Sequence, residues 1–121
     1  MGKMAKLMMA GLVLATMGAT AARAESYART TVKNNSSNSV WVTYYNVTKN
    51  QMGTDCIHSG SSQTEDWSWS YVTESEGGIY FRFEYKQNTN CGGNTLYDSH
   101  YGGLYRMPAL GQTLSVSIPA R

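Results

Sequence analysis

The side chains able to do chemistry in this chain are few. His58 and His100 are its two histidines, Cys56 and Cys91 its two cysteines, and eight carboxylates complete the set alongside many hydroxyls. Nucleophilic catalysis needs a hydroxyl or thiol beside a positioned base, and no G-x-S-x-G or comparable elbow frames any of the serines. General acid and base work would call on Glu65 with Asp66, or Glu74 with Glu76. Adjacent residues on a strand point to opposite faces, however, and Glu74-Ser-Glu-Gly-Gly78 has the profile of an exposed turn. A zinc or copper site could draw on Asp98 and His100 at i and i+2, with Asp55 and His58 as further donors, but no third histidine or tight cluster completes it. The cysteines lack CxxC spacing, so one intramolecular Cys56–Cys91 disulfide is the expected use. These residues point to a protein that is not an enzyme and carries no metal or cofactor.

Recognition by aromatic rings is the chemistry that remains, because flat rings stack on sugars, on other rings and on apolar side chains at small entropic cost. Two stretches compete for that role. Tyr97-Asp-Ser-His-Tyr-Gly-Gly-Leu-Tyr-Arg106 mixes rigid rings with adaptable polar groups just after Cys91, which makes Tyr97, His100, Tyr101, Tyr105 and Arg106 the candidate ligand-binding residues. The alternative set is Trp67, Trp69 and Tyr71 in Asp66-Trp-Ser-Trp-Ser-Tyr71. Its rings alternate with Ser68, Ser70 and Val72, and Ile79 to Tyr85 carry a bulky face of their own. If the two strands pair as a hairpin through Glu74 to Gly78, those faces coincide and the tryptophan row belongs mostly to the core.

The elements that must position these rings are read from period and punctuation. Residues 1–24 have a positive start at Lys3 and Lys6, an apolar run from Leu7 to Met17 and Ala22-Arg-Ala24 before Glu25, the form of a bacterial export signal. Cleavage there predicts a single domain over residues 25–121. Lys3, Lys6 and Arg23 leave with the leader, so seven of the ten basic residues then face all eight acidic ones and the net charge becomes −1. With no Lys/Arg cluster after Glu25, a nucleic-acid partner is not expected.

Downstream of the leader, most segments alternate at period two between Asn-, Ser- and Gly-rich punctuation, and none shows helical spacing. Strands are predicted at Ala28 to Lys33, Val40 to Val47, Gly53 to His58, Thr64 to Thr73, Gly78 to Lys86 and Thr113 to Ile118, with a shorter one near Thr95 to Ser99. About seven short antiparallel strands with one disulfide describe an all-β protein, a small Greek-key β-sandwich. In β-rich Ile79-Tyr-Phe-Arg-Phe-Glu-Tyr-Lys86, the residues Ile79, Phe81, Phe83 and Tyr85 form the core face, and Tyr80, Arg82, Glu84 and Lys86 the opposite one. Asn34-Asn-Ser36, Asn35-Ser-Ser37 and Asn46-Val-Thr48 match the glycosylation acceptor pattern, which matters only in a eukaryotic secretory route.

Thr31-Val-Lys-Asn-Asn-Ser-Ser-Asn-Ser-Val-Trp41, Ser59-Gly-Ser61 followed by Trp67, and Gly77-Gly-Ile-Tyr-Phe-Arg82 together resemble the opening strands of thaumatin-like proteins. The resemblance covers Thr31 to about Phe83. The chain departs from that family in having one cysteine pair, about half the usual length and no acidic cleft. What the resemblance implies is a sandwich and a secreted protein that meets polysaccharide or a foreign cell surface; it transfers no catalytic residue. The functional expectation is therefore an exported or periplasmic binding protein that recognises a glycan or an extracytoplasmic protein through aromatic-rich loops. An inhibitor or immunity-type protein is the first alternative, and a membrane-active, toxin-like sandwich with rings at the headgroup level of a membrane surface is the second.

Overall fold

A computed structural model of the chain describes residues 27–68, 70, 71 and 77–121. The leader expected over residues 1–24, Trp69 and the turn at 72–76 lie outside the described residues. Eight strands follow one another: β1 (Ala28–Asn34), β2 (Val40–Asn46), β3 (Gln51–Ile57), β4 (Ser62–Trp67), β5 (Gly78–Lys86), β6 (Thr95–Asp98), β7 (Tyr105–Arg106) and β8 (Thr113–Ile118). They form two sheets, one in the order β4-β1-β8 and the other β3-β2-β5-β6, with the two-residue β7 also paired to β5. The fold is the all-β sandwich that the alternation predicts, with a short extra strand in the Tyr- and Gly-rich segment. One pair departs from the antiparallel rule: β1 and β8 run parallel, from Arg29↔Thr113 to Asn34↔Ile118. A parallel neighbour needs a long connection, and here the whole intervening domain supplies it.

The period-two pattern sorts side chains as expected. Val40, Val42 and Tyr44 of β2 lie in register with Tyr85, Phe83 and Phe81 of β5, and they face Ala28, Val32, Val116 and Ile118 of the other sheet in a single core. Trp67 is 4% exposed and closes that core, with its ring edge-on to Tyr44 at 5.2 Å and its indole N–H donating to Thr30 Oγ1 at 2.9 Å. The inward orientation expected of the tryptophan row thus holds for Trp67, but for a different reason. β4 pairs with β1, with Trp67 opposite Ala28, and not with β5 as a hairpin. The two bulky faces meet across the sandwich instead of side by side. β4 also ends at Trp67, short of Thr73, and Tyr71 beyond it is 38% exposed while packing edge-on to Trp67 at 5.5 Å.

Two of the Asn-x-Ser/Thr sequences are turn devices. Asn34 is fully buried; its amide donates to Asn38 O and Ile57 O, and its Oδ1 accepts from the Ser36 N–H and hydroxyl. Asn46 does likewise with the Thr48 N–H and hydroxyl and with the Asn50 N–H. An Asn oxygen that captures donors two residues on mimics a backbone turn, and this explains the spacing without a glycan. Cys56 and Cys91 form the expected disulfide, with Cα atoms 6.0 Å apart, tying β3 to the β5–β6 connection.

Candidate functional site

The outer face of the five-stranded sheet carries most of the unusual chemistry. In the β2–β5 register Tyr45 lies opposite Tyr80, Thr43 opposite Arg82 and Trp41 opposite Glu84, and Glu84 in turn lies opposite Asp98 of β6. Arg82 forks onto Asp98 through Nε at 3.0 Å and Nη2 at 2.5 Å. It also lies 3.4 Å from Glu84 and donates to Tyr45 Oη at 3.5 Å. A bidentate guanidinium–carboxylate pair is among the stronger polar contacts available on a half-buried face. Its mark is seen on both partners. The Asp98 hydrogen bond is the main reason that the Arg82 guanidinium is held more tightly protonated than usual. The Arg82 bond is likewise the main reason that the Asp98 carboxyl sits below its ordinary range.

Two connections bring further groups to this face. After β6 the chain turns back over the sheet: the Ser99 N–H donates to Phe83 O and its hydroxyl accepts from the Phe83 N–H, and the His100 N–H donates to Asp98 Oδ1 at 2.8 Å. His100 and Gly102 both take positive φ, 56° and 62°, which is the sharp reversal that lands Tyr101 on the sheet. The Tyr101 ring meets Tyr45 at 4.8 Å and Tyr80 at 5.8 Å, both edge-to-face. From the other side, the β2–β3 turn built on Asn46 presents Lys49, itself at φ 67°. Its ammonium stands 5.0 Å from the Tyr101 ring centre and 5.7 Å from that of Tyr80, within reach of a cation–π attraction. Among the described residues the Lys49 ammonium has no carboxylate partner, whereas Arg82 has two.

The structure does not gather the five residues singled out from the sequence. Tyr101 and His100 reach the outer face, where His100 Nδ1 lies 3.7 Å from Asp98. Tyr97 is in register with inward-facing Tyr85 and has Arg121 stacked on its ring, the guanidinium carbon 3.4 Å from the ring centre, while staying 40% exposed. Tyr105 is in register with Ile79 and packs edge-on to Phe81 at 5.2 Å. It lines an open depression of about 320 Å³ with Gly77, Leu104 and Arg106. Of the alternative set, Trp67 is core, Tyr71 lies at its margin and Trp69 is outside the described residues. The metal donors weighed above also part company: Asp98 and His100 stay together, while Asp55 turns inward and His58 holds the Cys91 loop through a 2.7 Å contact to Thr89 O. Tyr45, Tyr80, Lys49 and Arg82 were not among the candidates. The signal for two of them was present in the alternation that set Tyr80 and Arg82 opposite the core face.

A second polar cluster lies between the sheets. The Tyr44 hydroxyl donates to Asp55 Oδ2 at 2.7 Å, and Glu65, inward-facing on the other sheet opposite Thr30, comes close enough to the same carboxylate for a shared proton to link them. Burial above all, then that bond and the charges of Asp55 and Asp66, push the Glu65 carboxyl up to about 7. Glu65 and Asp66 do point to opposite faces, as adjacent strand residues must, with Asp66 held outside by Arg29 at 2.7 Å. The partner of Glu65 is ten residues away in sequence and in another sheet, out of reach of any local pattern. Comparison of the chain with protein-family models, with characterised proteins and with solved structures gives no match.

Proposed function

We propose that the chain is an exported, non-enzymatic binding protein that presents the Tyr45–Tyr80–Tyr101 face to a glycan outside the cytoplasm, with Lys49 selecting sugars that carry a carboxylate. The observation that carries this reading is the Lys49 ammonium set over Tyr80 and Tyr101, with no carboxylate partner among the described residues. A ring cluster offers a sugar CH surface and phenol hydroxyls in one place, and a neighbouring unpaired ammonium adds a charge-assisted bond to an acidic sugar. Asp98 and Glu84, already engaged by Arg82, offer fixed acceptors for sugar hydroxyls beside it. The Cys56–Cys91 disulfide suits an oxidising, extracytoplasmic setting, and the likeness of Thr31 to Phe83 to thaumatin-like opening strands points to the same kind of target.

Retention on immobilised polyuronate, compared with neutral glucan, tests the reading. Wild type should be retained on the acidic polymer and released by moderate salt, and Tyr101→Ala should abolish retention with little change in Tm. Passage of wild type through both columns would end the glycan reading. A second reading, an inhibitor or immunity-type protein, is favoured by the β5–β6–β7 edge, where Leu96 is 61% and Leu104 53% exposed. Capture of one protein partner that soluble polysaccharide fails to displace would support it.

A further inference from the structure

We propose that Glu65 and Asp55 share one proton across the gap between the two sheets and form a latch whose release loosens the β3–β4 side of the sandwich. β3 and β4 are edge strands of different sheets, so no ladder of backbone hydrogen bonds joins them. What joins them is side chains. At one level the Trp67 indole passes Gly53 so closely that a Cβ there would lie 3.5 Å from its Cη2. Two residues along each strand, and therefore on the same inner faces, stand Asp55 and Glu65.

Two carboxyl groups can hydrogen-bond each other only while one holds a proton, because a carboxylate is an acceptor alone. The Tyr44 hydroxyl already donates to Asp55, which makes Asp55 the acceptor and places the proton on Glu65. Among the described residues the surroundings offer no replacement for it. From β2 comes Tyr44, from β1 the neutral Thr30, in register with Glu65 and bonded by the Trp67 indole, and from β8 the apolar Leu114 beside Thr30. Asp66, next on β4, adds like charge from the outer side, where Arg29 holds it. Among the described residues no lysine or arginine pairs with Asp55 or Glu65. Loss of the proton therefore leaves two facing negative charges between two edge strands that no ladder joins.

The test is the pH dependence of the purified protein, followed by the urea midpoint and by acrylamide quenching of tryptophan, in wild type and in Glu65→Gln, which keeps a neutral donor in place. A His58→Gln/His100→Gln background removes both imidazoles from the readout. Between pH 5 and 8.5 the wild-type folding equilibrium should weaken by about tenfold or more and quenching should rise, while E65Q should be level across that range. A level wild type, or the same slope in E65Q, would overturn the latch. Should E65Q fail to fold, carbon-13 titration of the Glu65 carboxyl in wild type decides. A midpoint near 7 upholds the shared proton, and one near the ordinary ~4 overturns it.

Discussion

Tyr44 is fully buried at the centre of the sandwich, yet its hydroxyl reaches Asp55 Oδ2 at 2.7 Å. One side chain thus serves two purposes: its ring packs edge-on to Trp67 and Phe81, and its oxygen fixes the acceptor of a carboxyl pair. Burial first, and the bond to Asp55 second, hold the phenol far above its ordinary range, so it remains a donor at any pH the protein meets. Tyr44→Phe keeps the ring contacts and removes the donor. It should cost about 1–3 kcal/mol in urea unfolding, the loss expected when a partner of a part-buried charged acceptor is removed, and a loss under ~0.5 kcal/mol would mean that water takes the hydroxyl's place.

Stability should fall at both ends of the pH range, for different residues. Glu65 is raised in the fold, so its contribution is complete below its unfolded value near ~4.3 and is lost as pH rises through about 7. Water on its open side screens the effect to about 1–2 kcal/mol. Asp98 is lowered by Arg82, so its contribution is present above its unfolded value and disappears as acid protonates it. Calorimetric Tm should therefore peak in mildly acidic buffer, and Asp98→Asn should remove only the acid limb.

Trp67→Phe would retain most of the apolar burial but lose the 2.9 Å bond to Thr30. A destabilisation of about 1–3 kcal/mol is expected, from the smaller ring and from the unpaired buried hydroxyl. The wild-type protein should also lose a blue, poorly quenched component of its emission on this substitution; unchanged emission would contradict the burial of Trp67.

On the outer face, Lys49→Gln should lower affinity for a polyuronate about five- to tenfold while leaving a neutral glycan unaffected, and should change stability by less than ~1 kcal/mol because an exposed cation–π contact is weak. Equal loss for acidic and neutral ligands would show that Lys49 shapes the turn and does not select charge.

Replacing Cys56 and Cys91 together by serine opens a loop of 35 residues' separation. The expected loss is ~4 kcal/mol in the chain-entropy account, read as a lower urea midpoint; a near-native midpoint would show that the His58–Thr89 contact and the β3–β2–β5 ladders hold that corner unaided.

Period-two alternation is a local property, and for that reason the strands, their inner and outer faces and the core side of Ile79 to Tyr85 were legible in the sequence. The disulfide was legible as well, because two cysteines in an oxidising setting have one use. Strand partners were not. Trp67 faces the core under either pairing, so the pattern that turned it inward could not say whether β1 or β5 lay beside it. The proposed binding face was legible only in part: Tyr80 and Arg82 were assigned to the correct side, but Tyr45 and Lys49 join them only through the β2–β5 register and the Asn46 turn, and Tyr101 separates from Tyr97 and Tyr105 only because His100 and Gly102 reverse the chain. Asp55 and Glu65 lie furthest from any sequence rule. Each is an ordinary alternating polar residue on an edge strand, and only the packing of one sheet on the other brings them to the same level of the sandwich, where among the described residues no cation pairs with either.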